Sequence, residues 1–126
     1  MPIPILKLSS VLIVTMQEAS DGDLSQLKSD LADQVGRFRS HGVVIDVSAV
    51  DVMDSFATRT LEGIAHATRL RGAETVVVGI QPDVAFAMIQ LGLSLDDVAT
   101  ALDLEEGMAL LAAQKVKGAA GAIHGR

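Results

Sequence analysis

Two short runs of branched apolar residues place the strongest constraint on the fold of this chain. VVIDV at 43–47 and TVVVGI at 75–80 show almost no alternation with polar residues, and a helix-length segment separates them. Strands of this kind are buried on both faces, as in parallel sheets whose crossover connections are helices. The sequence therefore predicts an α/β fold built on a mostly parallel sheet with right-handed crossovers.

The rest of the chain supplies the other elements of such a fold. IPILKL at 3–8 and VLIVTM at 11–16 are strand-like, and the Ser9-Ser10 pair between them favours an antiparallel hairpin at the sheet edge. Helical spacing and cap residues predict four helices: one capped by Asp21 or Asp23 with Gln26 in a capping box, one from Ser55 to Leu70, one from Pro82, and one after Asp103. The segment 94–100 is ambiguous and allows a short edge strand.

The predicted order is therefore β-β-α-β-α-β-α-(β)-α, with four to five strands and about four helices. With 126 residues, the chain has the usual length of one domain, which we place at residues 1–115. Residues 116–126 are small and rich in glycine, and we expect them to form a flexible C-terminal tail.

Composition argues against several classes of function. The formal net charge of −6, with scattered arginines and no Tyr or Trp, disfavours nucleic acid and anionic membranes as partners. Cysteine is absent, which removes thiol nucleophiles and thiolate metal sites and suits a cytoplasmic protein. No apolar run reaches the ~20 residues needed to cross a bilayer, and no secretory signal is present. The three histidines lack metal-ligand spacing, so neither a metal nor another cofactor is expected.

VVIDVSAVDVMDSF at 43–56 is the most informative segment. A buried strand leads into a loop with three aspartates, and Ser55 follows at the start of a helix. On spacing alone, Asp54 and Ser55 are ordinary helix-capping residues. The other interpretation is a phosphorylation site, since free backbone N–H groups and the helix dipole at this position accommodate a phosphate.

A second loop is expected to lie beside this segment. In parallel sheets functional loops follow the carboxyl ends of the strands. Two connections qualify here, one from Ser48 to Ser55 and one from Gly79 to Pro82, and chain reversal should bring them close together.

Four segments together carry a resemblance to a known family: PIPILKL at 2–8, GVVIDVSAVDVMDSF at 42–56, VGIQPDVA at 78–85 and ALDLEEGM at 101–108. They resemble STAS domains, the fold of bacterial anti-sigma-factor antagonists, and within that family the stressosome scaffold proteins of the RsbS type. The likeness covers about residues 2–114. The DSF and GIQP motifs are fairly specific together, whereas either alone would be weak.

The resemblance implies a non-enzymatic signalling role. Such scaffolds assemble with RsbR-type STAS paralogues and hold a switch serine kinase of the RsbT type, which phosphorylates the scaffold and is released; a PP2C-type phosphatase resets it. Carried over by position, the phosphoacceptor is Ser55, flanked by Asp54 and Phe56. The neighbouring partner-binding surface is the loop Gly79-Ile80-Gln81-Pro82. RsbR-type paralogues carry a phosphorylatable Thr where this chain has Val78, which favours the scaffold type.

Other interpretations remain beside this one. The chain could be a simple anti-anti-sigma factor that binds an anti-sigma kinase directly, or a STAS module that senses a small molecule or nucleotide in the groove between the two loops. A Ser55–His66–Asp46 triad is disfavoured, because eleven residues of helix separate Ser55 from His66 by about 16 Å. Phe56 is predicted to be a core anchor in preference to an exposed contact. Met53 and Met88 fit either a core or an interface.

Overall fold

The computed structural model describes the backbone of residues 3–124 and the side chains of residues 3–114. Nine elements follow one another in the order expected from the hydrophobic pattern. They are β1 (Ile5–Leu8), β2 (Val11–Thr15), α1 (Asp21–Phe38), β3 (Gly42–Asp46), α2 (Ser55–Arg69), β4 (Glu74–Val78), α3 (Pro82–Gln90), β5 (Ala99–Ala101) and α4 (Leu104–His124).

The five strands form one sheet in the order β1-β2-β3-β4-β5, which is also their order along the chain. β1 pairs antiparallel with β2 through the Ser9-Ser10 turn, and every later strand is parallel to its neighbour. The predicted edge hairpin and parallel sheet are therefore confirmed. β3 occupies the centre, with Val43, Val44 and Ile45 fully buried, as the apolar run predicts.

Helices cover both faces of the sheet. The larger apolar cluster joins one face of the strands to α1, α2 and α3; its largest fully buried side chains include Leu27, Leu31, Leu61 and Ile64. The smaller cluster lies under α4, where Leu111 packs with Val11, Val44, Val76 and Val78. The core is almost wholly aliphatic, since the chain has only three Phe and no other aromatic residue.

The cap of α1 differs from the prediction. Ser20 is the N-cap, and its side chain accepts a hydrogen bond from the Asp23 backbone N–H at 3.1 Å. Asp21 and Asp23 lie inside the first turn, where their charge complements the helix dipole. Gln26 does not complete a capping box with Asp23; its amide donates instead to Asp30 one turn later. The capping-box interpretation was wrong because serine caps at least as well as aspartate.

The C-terminal part of the chain differs in its boundaries. The ambiguous segment yields a strand, but only the three residues of β5 pair with β4. α4 runs to His124, beyond the boundary predicted at residue 115. The flexibility of residues 116–126 stays a prediction. No helix among residues 3–124 is long and apolar enough to cross a membrane.

Gly107 lets α4 lie close against the sheet. A Cβ atom at this position would come within 2.7 Å of Cγ1 of Val78 and 3.4 Å of Cγ1 of Val76. The distance to Val78 is far inside ordinary van der Waals contact, so a side chain at position 107 would force α4 and β4 apart or displace Val78. The first turn of α4 is thereby fixed beside the carboxyl end of that strand.

Candidate functional site

The candidate site lies where the central strand β3 ends at the carboxyl edge of the sheet. Asp46 is the last residue of β3, and its Oδ1 accepts a hydrogen bond from the backbone N–H of Ser48 at 2.9 Å. Val47 N–H then donates to the Val78 carbonyl at 2.9 Å, which ties the start of the loop to β4. The loop that leads to α2 therefore leaves the sheet in a defined direction.

Asp54 caps α2. Its backbone is extended, and its Oδ1 accepts a hydrogen bond from the Ala57 N–H at 2.8 Å. Its carbonyl accepts from both the backbone N–H of Thr58 at 3.0 Å and the Thr58 hydroxyl at 2.9 Å. The capping predicted for this segment is thus performed by Asp54.

Ser55 is the first residue of α2 and is exposed to solvent. Its side chain makes one hydrogen bond in the described part of the chain: Arg59 Nη2, one turn further along the helix, donates to Ser55 Oγ at 3.3 Å. Arg59 Nε also donates to the Ser55 carbonyl at 3.3 Å. The hydroxyl therefore faces solvent beside a guanidinium group, and it does not serve as the cap of the helix.

Gln81 joins the two loops that the topology predicts to be neighbours. Its Nε2 lies 2.9 Å from the Ser48 carbonyl, 3.1 Å from the Val50 carbonyl and 3.1 Å from Asp51 Oδ1. One amide group thus donates into three acceptors of the β3–α2 loop. The expected proximity of the segments 48–55 and 79–82 is confirmed.

The backbone around Gln81 is set by its neighbours. Gly79 has φ +80, and a Cβ there would come within 3.0 Å of Ser48 Cβ, so this position requires glycine. Its N–H donates to the Ala101 carbonyl at 3.1 Å. Ile80 is half-buried against the core, and Pro82 begins α3 with the φ that a first helical turn needs.

The structure shows whether Met53, Met88 and Phe56 belong to the core or to the surface. Met53 and Met88 are buried in the larger cluster, so both are core residues. Phe56 is half-buried: it packs against that cluster and also lines a groove of about 590 Å³ between α1 and α2. The groove also contains Lys28 and Arg59. The prediction of a core anchor is correct for Phe56 only in part.

The structure does not support a Ser55–His66–Asp46 triad or a metal site. Ser55 Oγ contacts Arg59, and Asp46 Oδ1 holds the Ser48 N–H, so neither is arranged for a triad. His66 lies exposed in the last turn of α2. Among the side chains of residues 3–114, no group of three His, Asp or Glu could hold a metal ion.

A groove of about 300 Å³ lies beside Asp54, on the side of the loop that follows β2. Its lining includes the carboxylates of Glu18, Asp21 and Asp54 and no Lys or Arg. Negative charges on three sides would repel a nucleotide phosphate. This groove has an unsuitable charge for a nucleotide, and it contains no residue of the loop 79–82, so it is not the groove predicted between the two loops. Nucleotide sensing between those loops stays a prediction.

Two features of the site were not found from the sequence. Arg59 stands four residues after Ser55, a spacing at which helical side chains meet, so the contact could have been inferred from the sequence. The other feature is the exposure of three large apolar residues of α3 and its end, Phe86, Ile89 and Leu91, for which the sequence analysis made no prediction. Val78, where the paralogues carry a threonine, is 1% exposed and covered by α4.

Comparisons with known proteins agree with this architecture. The family model for the STAS domain matches residues 3–107. RsbT co-antagonist protein RsbRA from Bacillus subtilis is 31% identical over 66% of this chain, and the chain spans only about a third of that relative's length, since the match covers 30% of it. RsbRD from the same organism is 27% identical, and 28% of its length is covered.

Two solved structures match nearly end to end. A serine-to-glutamate variant of RsbS from Moorella thermoacetica has a TM-score of 0.77 and 36% identity; the match covers 90% of this chain and 97% of that one. A chain from a structure described as the molecular architecture of the stressosome, a signal integration and transduction hub, has a TM-score of 0.73 and 37% identity. That match covers 89% of this chain and 98% of the other.

Proposed function

The chain belongs to the STAS domain family, and on that premise we propose that it is a non-catalytic, phosphorylatable scaffold of a bacterial stressosome. In this proposal the scaffold assembles with RsbR-type STAS paralogues in the cytoplasm and sequesters a switch serine kinase of the RsbT type. Phosphorylation of Ser55 releases the kinase, and a PP2C-type phosphatase restores the hydroxyl. The relatives that motivate the proposal are the RsbS structure, the stressosome chain and the RsbT co-antagonists.

The exposure of Ser55 is the observation that carries the proposal. A kinase must reach the hydroxyl, and here it stands on the outer side of the first turn of α2. Because Asp54 provides the helix cap, the serine can be modified without removing a hydrogen bond that holds the helix. In the chemical step, Ser55 Oγ would attack the γ-phosphorus of ATP while the bond to ADP breaks, and the hydroxyl proton would pass to a base on the kinase.

The surface around Ser55 supports a switch based on charge. Asp51 and Asp54 are exposed within the same loop, and a phosphate would add about −1.5 to −2 charges beside them. Two unit charges about 4 Å apart interact by about 4 kcal/mol at an effective dielectric of about 20. Exposure reduces this figure, but even about 1.4 kcal/mol is a tenfold change in affinity. A partner with its own acidic group at this surface would therefore be repelled.

Phosphorylation of Ser55 can be tested directly. Incubation with the cognate switch kinase and MgATP should add a single phosphate, which peptide mass spectrometry should place on Ser55. Ser55→Ala should remove the signal. Ser20→Ala is the matched control, because Ser20 is also exposed at a helix start but serves as its cap. An unmodified Ser55, or a phosphate that persists in Ser55→Ala, would refute the assignment.

Release of the kinase needs a separate test. Ser55→Asp adds one negative charge, whereas Ser55→Asn has nearly the same shape and adds none. We expect Ser55→Asp to lower retention of the kinase at least tenfold and Ser55→Asn to lower it far less, measured by biolayer interferometry at fixed ionic strength. Equal retention by the two variants would show that charge does not drive release.

The simple anti-anti-sigma alternative differs in the size of the assembly. A scaffold should form large particles with an RsbR-type paralogue, whereas a direct antagonist of an anti-sigma kinase should elute as a monomer or dimer under the same conditions. Size-exclusion chromatography with light scattering, performed with and without the paralogue, separates the two functions.

The ligand-sensing alternative is tested by thermal shift with nucleotides and small acids. A ligand at 100 times its dissociation constant would stabilise the domain by about 2.7 kcal/mol. The acidic groove beside Asp54 should not bind ATP or GTP, so a shift with either nucleotide would favour a site elsewhere, such as the groove between the two loops.

A further inference from the structure

Arg59 is a cation in direct contact with Ser55, the proposed phosphoacceptor. Its guanidinium group lies 3.3 Å from both Ser55 Oγ and the Ser55 carbonyl. Two other arginines differ, because each pairs with a carboxylate: Arg37 with Asp33 at 3.1 Å, and Arg69 with Glu74 at 3.5 Å. Within the described part of the chain Arg59 forms no salt bridge, so no carboxylate competes for its guanidinium group at contact distance.

Lys28 brings a second positive charge to the same region. It crosses from α1 to α2, with its Nζ 3.0 Å from where a Cβ of Gly63 would lie, and it lines the α1/α2 groove together with Arg59. The hydroxyl groups of Ser25, Ser29 and Thr60 also line this groove. The charged residues that line the α1/α2 groove are thus both cations. The charged residues that line the groove beside Asp54 are all acidic.

A phosphate on Ser55 would extend the side chain toward a group that already contacts it. Phosphate oxygens accept paired hydrogen bonds from the planar fork of an arginine, and such pairs are shorter and stronger than bonds to a neutral hydroxyl. The present bonds of 3.3 Å are long and weak, so Arg59 can leave the Ser55 carbonyl at little cost. The carboxylate of the preceding residue, Asp54, repels the added charge, whereas the Arg59 guanidinium group attracts it, so contact with Arg59 is favoured.

We propose that Arg59 is the internal counter-ion of the Ser55 phosphate, with Lys28 as a weaker second cation in the same groove. The proposal rests on the proposed function for the identity of the modification. Pairing with Arg59 would hold the phosphate against α2 in a defined conformation. One side of the phosphate group would then be inaccessible to the phosphatase. Arg59 would therefore slow the reset reaction as well as receive the charge.

The test uses the full chain with phosphoserine installed at position 55 during translation, followed by ³¹P NMR titration. A cation paired with the phosphate favours its dianion, so Arg59→Gln should raise the second pKa of the phosphate by about half a unit relative to the unchanged chain. Arg59→Lys should restore part of the difference, and Lys28→Gln should give a smaller rise than Arg59→Gln. Arg37→Gln, which removes an exposed arginine elsewhere, should leave the pKa unchanged.

A second readout follows the phosphatase. Arg59→Gln should be dephosphorylated several-fold faster than the unchanged phosphoprotein by a PP2C-type enzyme, while Arg37→Gln should match it. Circular dichroism establishes that each variant is folded. An unchanged pKa and an unchanged dephosphorylation rate in Arg59→Gln would overturn the inference. The phosphoserine is installed without a kinase, so the two proposals fail separately. Failure of the kinase experiment would refute the proposed function and leave the Arg59 effect intact. Failure of the Arg59 effect would refute this inference and leave the proposed function intact.

Discussion

At the scale of single residues, Asp54 and Ser55 at the start of α2 have separate roles, although either residue could have capped the helix. Asp54 accepts the hydrogen bond that caps the helix, and Ser55 is left exposed with a side chain that accepts a hydrogen bond from Arg59. From the sequence, capping and phosphorylation were alternatives for the same pair of residues. They are compatible in the structure because the cap occupies only one of them.

This division predicts opposite sensitivities at the two positions. Asp54→Ala should lower the free energy of unfolding by about 1 kcal/mol, since it removes an N-cap. Ser55→Ala should change it by less than about 0.5 kcal/mol, because Ser55 is exposed and its one side-chain hydrogen bond, from Arg59, is long. Urea unfolding followed by circular dichroism measures both, because the chain has no Trp or Tyr to report by fluorescence. A larger loss in Ser55→Ala than in Asp54→Ala would contradict the division.

The residues of the site were predictable to different degrees. The position of Ser55 at the start of a helix follows from the end of an apolar strand and the Asp54 cap, both of which are local signals. The three-acceptor contact of Gln81 depends on how far two loops rise above the sheet, which no local pattern records. The cap of α1 was assigned to Asp21 or Asp23 because Ser20, Asp21 and Asp23 are all good caps and only the backbone distinguishes them.

At the scale of elements, the site depends on two loops from neighbouring strands. β3 and β4 run parallel, so their carboxyl ends meet, and the Gln81 amide bridges the connections that follow them. Gly79 allows the close approach, with Ser48 in contact with the place where its side chain would be. The β3–α2 loop is thereby restrained by Gln81, which belongs to the next connection, between β4 and α3.

Removing the bridge should loosen the loop without unfolding the sheet. Gln81→Ala deletes all three hydrogen bonds, so the amide of Val50, which donates to Val47 within the loop, should exchange at least tenfold faster. Amides of β3 should keep their protection. Gln90→Ala, at the exposed end of α3, is the matched control and should leave Val50 unchanged. Unaltered exchange at Val50 in Gln81→Ala would show that the bridge does not restrain the loop.

The boundaries of the last elements show where sequence patterns stop being sufficient. β5 has three residues, two of them exposed, and it is a strand only because β4 offers a free edge. No periodicity can develop over three residues. The continuation of α4 past residue 115 was not predicted, because glycine and alanine at 118–122 carry no amphipathic pattern and glycine favours termination.

At the scale of the whole molecule, the central sheet joins two apolar clusters of unequal size. β3 contributes Val43 and Ile45 to the larger cluster and Val44 to the smaller one. The alternating side chains of one strand thus belong to both. The parallel sheet itself was predictable from the two apolar runs, whereas the placement of α4 alone on one face depends on the close contact at Gly107.

Strands β2, β3 and β4 all contribute to both clusters, which predicts that the two faces of the sheet unfold together. Leu61 in α2 and Leu111 in α4 are nearly fully buried on opposite faces. Leu61→Ala and Leu111→Ala should each lower the free energy of unfolding by about 2–5 kcal/mol and should each give one urea transition. Circular dichroism and hydrogen exchange of the β3 amides should report the same midpoint. A separate early transition in Leu111→Ala would mean that α4 and its cluster detach as an independent unit.

The strands lie side by side in the order in which the ribosome makes them, and this has a consequence for the timing of synthesis. Each new strand adds to an edge that already exists, so a nascent chain can build its sheet progressively. A chain that has emerged only as far as α2 carries Ser55 but not yet Gln81, and its β3–α2 loop has no restraint from β4. The β3–α2 loop therefore gains this restraint only after residue 81 has been translated, when four of the five strands have already been made.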